Sequence, residues 1–368
     1  MRIIFVGLVI IHGLLHLLGF LKAFHWARIP ALIADISKPL GLIWLVASIC
    51  LIVSGILYWS KSNLWWISAS AGLLISIYLI LHFWGDAKWG MIPNVMLLLV
   101  LLIQYAEYHF KSKYNRDVKQ SLQSTTNPSA IRDEILSLND LSDLPKQLKN
   151  YIIQAGFVGK PRIKNFKAIS VGSIRKNISA DWIPLAIEQY NFIHPLTRLF
   201  YMTGTMKGLP VTGYHRFKEG HAYMDIRMAS VIKVQYEEGV EMDKAETVTY
   251  FNDLCVFAPG ALPFKDIVWE VLDSQRVRGV FTESGITIAA VLHFNPQDEL
   301  TDFESDDRYF NPDGKSMKKT RWTTPLKEYK SYGGYRISSK AEVIWHFSEG
   351  PLIYARFNLK DIIYNATE

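Results

Sequence analysis

The sequence has few of the residues and motifs that identify common classes of soluble protein. It contains two cysteines, Cys50 and Cys255, and no Cys-x-x-Cys pair, so a disulfide framework is not expected. The net charge is +6, yet no run of five or more basic residues occurs, which argues against nucleic acid as a partner. The scarcity of cysteine is compatible with a reducing compartment.

Recognised catalytic motifs are absent as well. The chain contains no P-loop, no G-x-S-x-G nucleophile motif, no H-E-x-x-H metal motif and no G-x-G-x-x-G dinucleotide motif. Glu304, Asp306 and Asp307 occur together on a predicted strand, where alternation sends successive side chains to opposite faces. We interpret them as solvated, with Arg308 as their charge partner, and assign no catalytic residues from motifs.

What the sequence does contain is a segregated set of apolar residues. Four apolar runs lie in the N-terminal part, at residues 3–21, 40–59, 64–84 and 91–106, and most basic residues there lie in the short gaps between runs. A membrane-spanning helix needs about 20 apolar residues. Tryptophans near the run ends are typical of interfacial aromatic belts. We therefore predict a membrane α-helical bundle of four spans at residues 1–110, with the lipid bilayer as a partner.

The distribution of basic residues indicates how these spans are oriented. Among residues 1–120, six basic residues lie on the side that holds both termini, and four lie on the other side. Cytoplasmic loops carry the excess of Lys and Arg, so we expect the termini and the soluble domain in the cytoplasm. The six include a cluster that suits contact with anionic lipid headgroups, namely Lys111, Lys113, Arg116 and Lys119.

Four ionisable residues within or beside the predicted spans form two pairs with helical spacing. His12 and His16 are four residues apart, as are His82 and Asp86, so each pair shares one helix face. In parallel first and third spans the two pairs lie near the same membrane face, and their chemistry suits zinc, iron or another borderline metal. We predict one polar site with a metal ion as its candidate cofactor. Haem ligation by the histidines and plain hydrogen bonds between helices stay open as alternatives.

The remaining sequence changes from apolar runs to strand-like segments. We expect a basic juxtamembrane segment and linker at residues 111–142, with the polar residues 121–129 as the linker proper. Beyond it, short β-branched and aromatic segments alternate with turn signals such as Asn-Pro-Asp-Gly at 311–314. A helix capped by Asp243 is predicted at residues 246–256. We therefore predict an α+β soluble domain at residues 143–368: an antiparallel, curved half-barrel sheet covered by that helix.

Several short motifs of this domain resemble an uncharacterised bacterial domain family. That family brings no established activity, and its sheet-plus-helix outline is similar to the half-open barrel of periplasmic lipoprotein carriers, which implies fold alone. The N-terminal part resembles a small four-helix membrane module fused to other domains. The motifs lie within residues 143–365 and are Leu144-Pro145, Ala155-Gly156, Gly159-Lys160-Pro161, Glu188-Gln189-Tyr190, Gly213-Tyr214-His215-Arg216-Phe217, Trp269 and Asp307-Arg308-Tyr309.

The leading functional hypothesis is a membrane-anchored binding protein for an apolar or lipid-like ligand. A curved, aromatic-rich sheet covered by a helix is typical of a pocket that is mainly apolar with a few polar groups. The predicted ligand-binding residues are Gln189, Tyr190, Arg216, Phe251, Trp269, Arg308 and Trp322.

Two alternative functions stay open. An enzyme acting on a membrane-embedded substrate needs Glu188, Arg216 or Glu246 as acid or base, with two such groups converging on one cleft. A membrane sensor or assembly protein uses the β domain to dock a partner protein, whose identity the sequence does not indicate, through an exposed apolar patch.

Overall fold

The computed structural model describes residues 2–125, 134–311 and 317–367. The chain divides into two units, Met1–Tyr108, here called the helical unit, and His109–Glu368, here called the β unit. The division falls inside one long helix, so the residues of this helix up to Tyr108 belong to the helical unit and those from His109 belong to the β unit.

Apolar helices form the helical unit. In the described part of the chain, four helical segments are long and apolar enough to cross a membrane by length and composition, which agrees with the four apolar runs of the sequence. The helices are α1 Arg2–Ala23, α2 Lys38–Trp59, α3 Trp65–His82, the short α4 Trp84–Ala87 and α5 Met91–Thr125.

Small residues allow α1 and α2 to approach each other closely. A Cβ atom placed on Gly19 would lie 2.2 Å from the Trp44 ring, and one placed on Gly13 would lie 2.8 Å from the Ile52 side chain. Both distances are shorter than van der Waals contact, so the helix contact requires glycine at these two positions. Close packing of this kind is what holds helices together where the surroundings are themselves apolar.

Helix α5 continues beyond the last predicted apolar run. It extends to Thr125, so the start of the expected linker, Ser121 to Thr125, is helical and this part of the prediction is wrong; residues 126–129 lie outside the described residues. The helix is stabilised here because one apolar stripe is buried against the sheet of the β unit. The stripe recurs every four residues and consists of Phe110, Tyr114, Val118 and Leu122.

The β unit contains, among its described residues, one large sheet, a small hairpin, two further α-helices, α6 Lys146–Gln154 and α7 Val240–Phe257, and two short 3-10 helices, Asn139–Leu141 and Pro259–Phe264. Its strands are β1 Asn165–Ile174, β2 Ile183–Phe192, β3 Thr197–Met206, β4 Leu209–Lys218, β5 His221–Met228, β6 Ile232–Glu238, β7 Ile267–Val271, β8 Arg276–Glu283, β9 Ile286–Phe294, β10 Leu300–Ser305, β11 Tyr309–Phe310, β12 Lys318–Lys319, β13 Trp322–Thr323, β14 Leu326–Tyr332, β15 Tyr335–Phe347 and β16 Gly350–Tyr364.

The large sheet is a curled antiparallel half-barrel, as predicted. Its strand order is β6-β5-β4-β3-β2-β1-β16-β15-β13-β10-β9-β8-β7, with β14 paired to β15. Because β1 pairs with β16, the first and last strands join the two meanders at the middle of the sheet. Strands β11 and β12 flank the predicted turn at 311–314, of which residues 312–314 lie outside the described residues.

Alternation of side chains gives the sheet two faces. The inner face packs against α7, whose Tyr250 and Phe251 side chains are fully buried. The outer face packs against residues 110–122 of α5 through side chains that include Tyr190 and Tyr214. Each helix therefore covers a different face, and adjacent residues of one strand contact different helices.

Helix α7 is longer than the predicted helix at 246–256. It begins at Val240, after Gly239 with a φ of 105°, a conformation that glycine adopts without strain. Asp243 does not cap the helix as predicted. Its carboxylate instead accepts a hydrogen bond of 2.6 Å from the backbone N–H of Ala222, which ties the first turn of α7 to β5.

Candidate functional site

Polar side chains of β2 and β3 meet two acidic residues of α7 on the inner face. Gln189 and Asn191 are two residues apart on β2, and Asn191 lies opposite Arg198 of β3. Glu246 and Asp253 are seven residues apart on α7, two helical turns, and so share a helix face. We call Gln189, Asn191, Arg198, Glu246 and Asp253 the inner ion network.

Short contacts connect the members of the inner ion network. Arg198 Nε lies 2.6 Å from Asp253 Oδ2, and Arg198 Nη1 lies 3.0 Å from Glu246 Oε2. The side-chain amides of Gln189 and Asn191 also donate to Asp253 Oδ2, at 2.7 Å and 3.1 Å. All five side chains are buried, so each charge depends on these partners rather than on water.

Burial and neighbouring charges determine the protonation of this region. Burial alone would raise the pKa of the Glu246 carboxyl, but Arg198 and Arg308 outweigh burial and lower that pKa. Burial lowers the pKa of His215 to about 4, since loss of water disfavours the charged imidazole. At neutral pH, therefore, Glu246 is ionised beside two guanidinium groups and His215 is uncharged.

Three buried polar atoms near the inner ion network have no hydrogen-bond partner among the described residues: Nε2 of His215, Nε of Arg308 and Oδ1 of Asn252. Arg308 is held in place by donating from Nη1 to the backbone oxygen of Ala245 at 2.7 Å. Its guanidinium also lies 4.9 Å from the centre of the Trp322 ring. Buried polar atoms without partners are uncommon in folded proteins and mark places where a ligand or water binds.

An apolar strip continues the same face of β2 and β3 beyond the inner ion network. Ile187 precedes Gln189 by two residues on β2, and Phe200 follows Arg198 by two on β3, so both point inward. Partly buried side chains, including Ile226 and Phe357, extend the strip at its sides. We call this strip the inner wall; its buried members are Leu185, Ile187, Phe200 and Met202.

The segment from Arg308 through β11 to Asn311 connects distant parts of the β unit. The Phe310 ring lies 5.4 Å from that of Trp345 and 4.9 Å from that of Phe347, measured between ring centres. The next residue, Asn311, donates to Glu237 Oε1 on the edge strand β6 at 2.6 Å. This segment therefore reaches from Arg308 to the far edge of the sheet.

The structure divides the predicted ligand-binding residues between the two faces. Gln189, Phe251, Trp269, Arg308 and Trp322 belong to the inner side: Trp269 contacts Phe251, and Trp322 belongs to the core around α7. The other two predicted residues face outward.

Tyr190 packs among the outer-face side chains, and Arg216 lies 3.4 Å from Asp117 of α5. The expectation that they share a pocket with Gln189 is therefore corrected, because neighbouring strand residues point to opposite faces.

The residues proposed for an enzyme do not converge. Glu188 and Arg216 lie on the outer face, where Glu188 accepts a hydrogen bond from the Tyr114 hydroxyl at 3.2 Å. Glu246 lies on the inner face beside Arg198. Glu246 therefore shares no cleft with Glu188 or Arg216 as a general acid and base.

A second polar group lies inside the helical unit, between α1, α3 and α5. His12 Nε2 is 2.9 Å from Asn94 Oδ1, and His16 Nε2 is 2.8 Å from Ser76 Oγ. The Ser76 hydroxyl donates to Asn94 Oδ1 at 3.0 Å. All four side chains are buried, and we call them the bundle cluster.

The bundle cluster does not include the other half of the predicted metal site. His82 is exposed and stacks on Tyr78, with ring centres 6.0 Å apart. Asp86 accepts hydrogen bonds from the backbone N–H groups of Ile33 and Ala34 at 2.7 and 2.8 Å. The prediction that His82 and Asp86 join His12 and His16 is therefore corrected.

The helical period explains this separation, because His82 lies on the face of Tyr78 and not on the buried face of Ser76. Over the residues for which the structure is described, no three His, Cys, Asp or Glu side chains come close enough to hold one metal ion.

Five residues of these groups were not predicted from the sequence. One is Asn191, which has Glu188 and Gln189 as polar neighbours on its strand, and the other four are isolated polar residues. Arg198 and Asp253 are single charges within otherwise apolar or aromatic segments, and Ser76 and Asn94 are single polar residues within apolar runs. An isolated polar residue in an apolar segment is the signal that could have identified all four, since burial of such a residue requires a partner.

Comparison with known proteins gives a family and several distant structural similarities, of which two are described here. The family described as "Family of unknown function (DUF6544)" matches residues 134–357, which confirms the resemblance predicted for residues 143–365. No curated protein sequence matches the chain. A DUF1329 family protein from Desulfovibrio piger is similar at 8% identity and a TM-score of 0.35, over 59% of this chain and 91% of that one. A LolA superfamily protein from Nitrosomonas europaea is similar at 9% identity and a TM-score of 0.27, over 54% and 85%.

Proposed function

The chain belongs to the DUF6544 family of unknown function, and from that premise we propose that it is a membrane-anchored protein whose β unit binds an apolar or lipid-like ligand. The observation that carries the proposal is the inner wall, an apolar strip that borders buried polar atoms without partners in the described chain. A mainly apolar surface with a few placed polar groups is the usual form of a small-molecule site.

The chemistry of the inner face supports one arrangement of this ligand. Helix α7 covers the neighbouring part of the inner face, and we assign the inner wall, whose side chains are apolar, to the apolar part of the ligand. Nε of Arg308 is an N–H donor without an acceptor among the described residues, and it suits a carboxylate or ester oxygen. His215 Nε2 offers a second polar contact beside Phe200, whose ring centre is 5.4 Å from that of His215.

The surface of the helical unit supports the membrane anchor. Large apolar side chains on all its long helices are exposed, among them Ile3, Ile49, Leu74 and Leu99. A surface of this composition is stable in hydrocarbon and unfavourable in water. The excess of basic residues on the side of the termini favours a cytoplasmic β unit in a bacterial inner membrane.

Cysteine labelling tests the membrane anchor. In a chain whose Cys50 and Cys255 are replaced, single cysteines at Ser62 and at Lys88 are expected to react with an impermeant reagent from opposite sides, because α3 separates them. Equal accessibility of the two cysteines would contradict the presence of four membrane-spanning helices. A reporter enzyme fused after Glu368 that is active only outside the membrane would overturn the cytoplasmic orientation.

Photo-crosslinking tests the ligand site. Membranes that contain the full chain are exposed to hexadecanoic acid carrying a diazirine group, and labelled peptides are located by mass spectrometry. We expect labelling of β2 and β3. The substitution Ile226→Asp introduces a charge at the inner wall and is expected to reduce this labelling at least about tenfold.

Val171→Asp is the matched control, since Val171 is exposed on the outer face of β1 and its substitution places the same charge away from the inner wall. Labelling of β2 and β3 in the Val171→Asp variant is expected to equal that in the wild type. Equal loss in both variants, or labelling confined to the helical unit, would contradict a ligand on the inner wall.

A further inference from the structure

A groove opens on the surface of the helical unit and has a volume of about 450 Å³. Its walls include Gly7, Ile11 and Leu15 of α1 and Pro93 of α5. Of the residues that line the groove, His12 alone has a polar side chain, and it also belongs to the bundle cluster. An apolar groove thus borders a buried polar group.

His12 and Asn94 have hydrogen-bonding capacity that the described residues do not use. Asn94 Oδ1 is an acceptor, so His12 Nε2, 2.9 Å away, must be the donor. A neutral imidazole that donates from Nε2 carries an acceptor lone pair on Nδ1. This Nδ1 is buried without a partner among the described residues, and so is the side-chain nitrogen of Asn94, which is a donor.

A hydroxyl group satisfies His12 Nδ1, because it donates a hydrogen bond to an acceptor lone pair. We propose that the groove is a binding site for a hydroxyl-bearing lipid. Its chain lies in the apolar groove, and its hydroxyl donates to His12 Nδ1. A metal ion suits the groove less well, because His12 is the one lining residue with a metal-binding side chain, and no three such side chains come together in the described part of the chain.

The location of His12 Nδ1 favours a ligand that arrives from the bilayer. The atom is buried beside an apolar groove and shielded from water. The inference rests on the membrane placement proposed above and is independent of the ligand of the β unit. A failure of the cysteine-labelling test would remove the shared premise, whereas the following test addresses the groove alone.

The test compares two probes in membranes containing the full chain, 1-hexadecanol carrying a diazirine group and its methyl ether, which cannot donate a hydrogen bond. Labelling of α1 and α5 by the alcohol is expected to exceed that by the ether about tenfold, the effect of one hydrogen bond in an apolar site. In His12→Phe the labelling by the alcohol is expected to fall to that by the ether.

Two glycines provide a matched pair of variants that leave the bundle cluster intact. A Cβ atom at Gly7 or at Gly85 meets no heavy atom within 4 Å, so both positions accept a larger side chain, but only Gly7 lines the groove. Gly7→Leu is expected to abolish labelling of the groove by the alcohol, and Gly85→Leu to leave it unchanged.

Three results would overturn the proposal. The first is equal labelling by alcohol and ether, and the second is undiminished labelling in Gly7→Leu. The third is a stoichiometric transition metal in the purified protein that is lost in His16→Ala, since the imidazole lone pairs would then serve a metal.

Discussion

The helical unit and the β unit each bury a group of polar side chains, but the two groups differ in charge. The bundle cluster consists of two histidines, a serine and an asparagine joined by hydrogen bonds. The inner ion network places one arginine between two carboxylates, with Arg308 nearby. In the first group, members can be removed without leaving a bare charge. In the second, removal of Arg198 leaves Asp253 without a guanidinium partner and Glu246 with Arg308 alone.

This difference shows that the surroundings of a buried polar group determine whether it is neutral or charged. A helix surrounded by other apolar helices accommodates neutral hydrogen-bonding groups, whereas a charge there is costly and rare. The interior of the β unit tolerates ions because amide donors, Gln189 and Asn191, complete the coordination of Asp253.

The largest effect is expected from Arg198→Met. The substitution leaves Asp253 without a guanidinium partner and Glu246 with Arg308 alone, so we expect the free energy of unfolding of the β unit to fall by about 3–5 kcal/mol. Hydrogen exchange of the β2 and β3 amides in the full chain measures this loss. The triple variant Arg198→Met, Glu246→Gln, Asp253→Asn removes the charges together and should recover much of the stability. A single variant as stable as the wild type would show that the network is not what holds α7 on the sheet.

Acidification is expected to lower the free energy of unfolding by a smaller amount, through protonation of His215. The pKa of His215 is about 4 in the folded protein, below its ordinary value of 6.5. Between pH 6.5 and pH 4, therefore, the unfolded chain binds the proton more readily than the folded protein. Stability is therefore fully present above pH 6.5 and is lost as the pH falls toward 4, by on the order of 1–2 kcal/mol at pH 5. Glu246, Arg198 and Arg308 are the charges that face this ring.

The variant His215→Gln provides the control for this pH dependence. It should flatten the fall of stability between pH 6.5 and pH 5, measured by the same exchange of β4 amides, because glutamine does not titrate. An unchanged slope in the variant would assign the acid sensitivity to other groups.

The smallest effect is expected from Ser76→Ala in the bundle cluster. The substitution removes the acceptor of His16 and a donor to Asn94, but every remaining group is neutral. We expect a loss of about 1 kcal/mol, typical of a hydrogen bond between apolar helices, measured by unfolding in mixed dodecyl sulfate micelles. Ser60→Ala, at an exposed helix end, should have almost no effect. A loss as large as that of Arg198→Met would mean that the cluster carries a charge.

Much of the fold could be predicted from the sequence because its strongest patterns are local. Long apolar runs predict helices wherever they occur, and alternating segments separated by turn signals predict an antiparallel sheet. The extension of α5 was missed because its buried stripe, from Phe110 to Leu122, lies among charged residues and has an effect only once a sheet is present to cover it.

The composition of the sites was harder to predict, because it depends on which faces meet. The period of a strand separates Gln189 from Tyr190, and the period of a helix separates Ser76 from His82, but neither period shows which face turns inward. Residues such as Asn94 and Asp253 acquire a role only from partners that are distant in the sequence.

The sequence by itself determined the four apolar helices, the strand-rich C-terminal part and the presence of histidines in an apolar run, since each follows from the composition and period of a continuous segment. Only the tertiary structure decided that His12 and His16 meet Ser76 and Asn94, and that Arg198 lies between Glu246 and Asp253. The physical reason is that a buried polar group is stable only with a partner, and packing between separate elements determines which partner it meets.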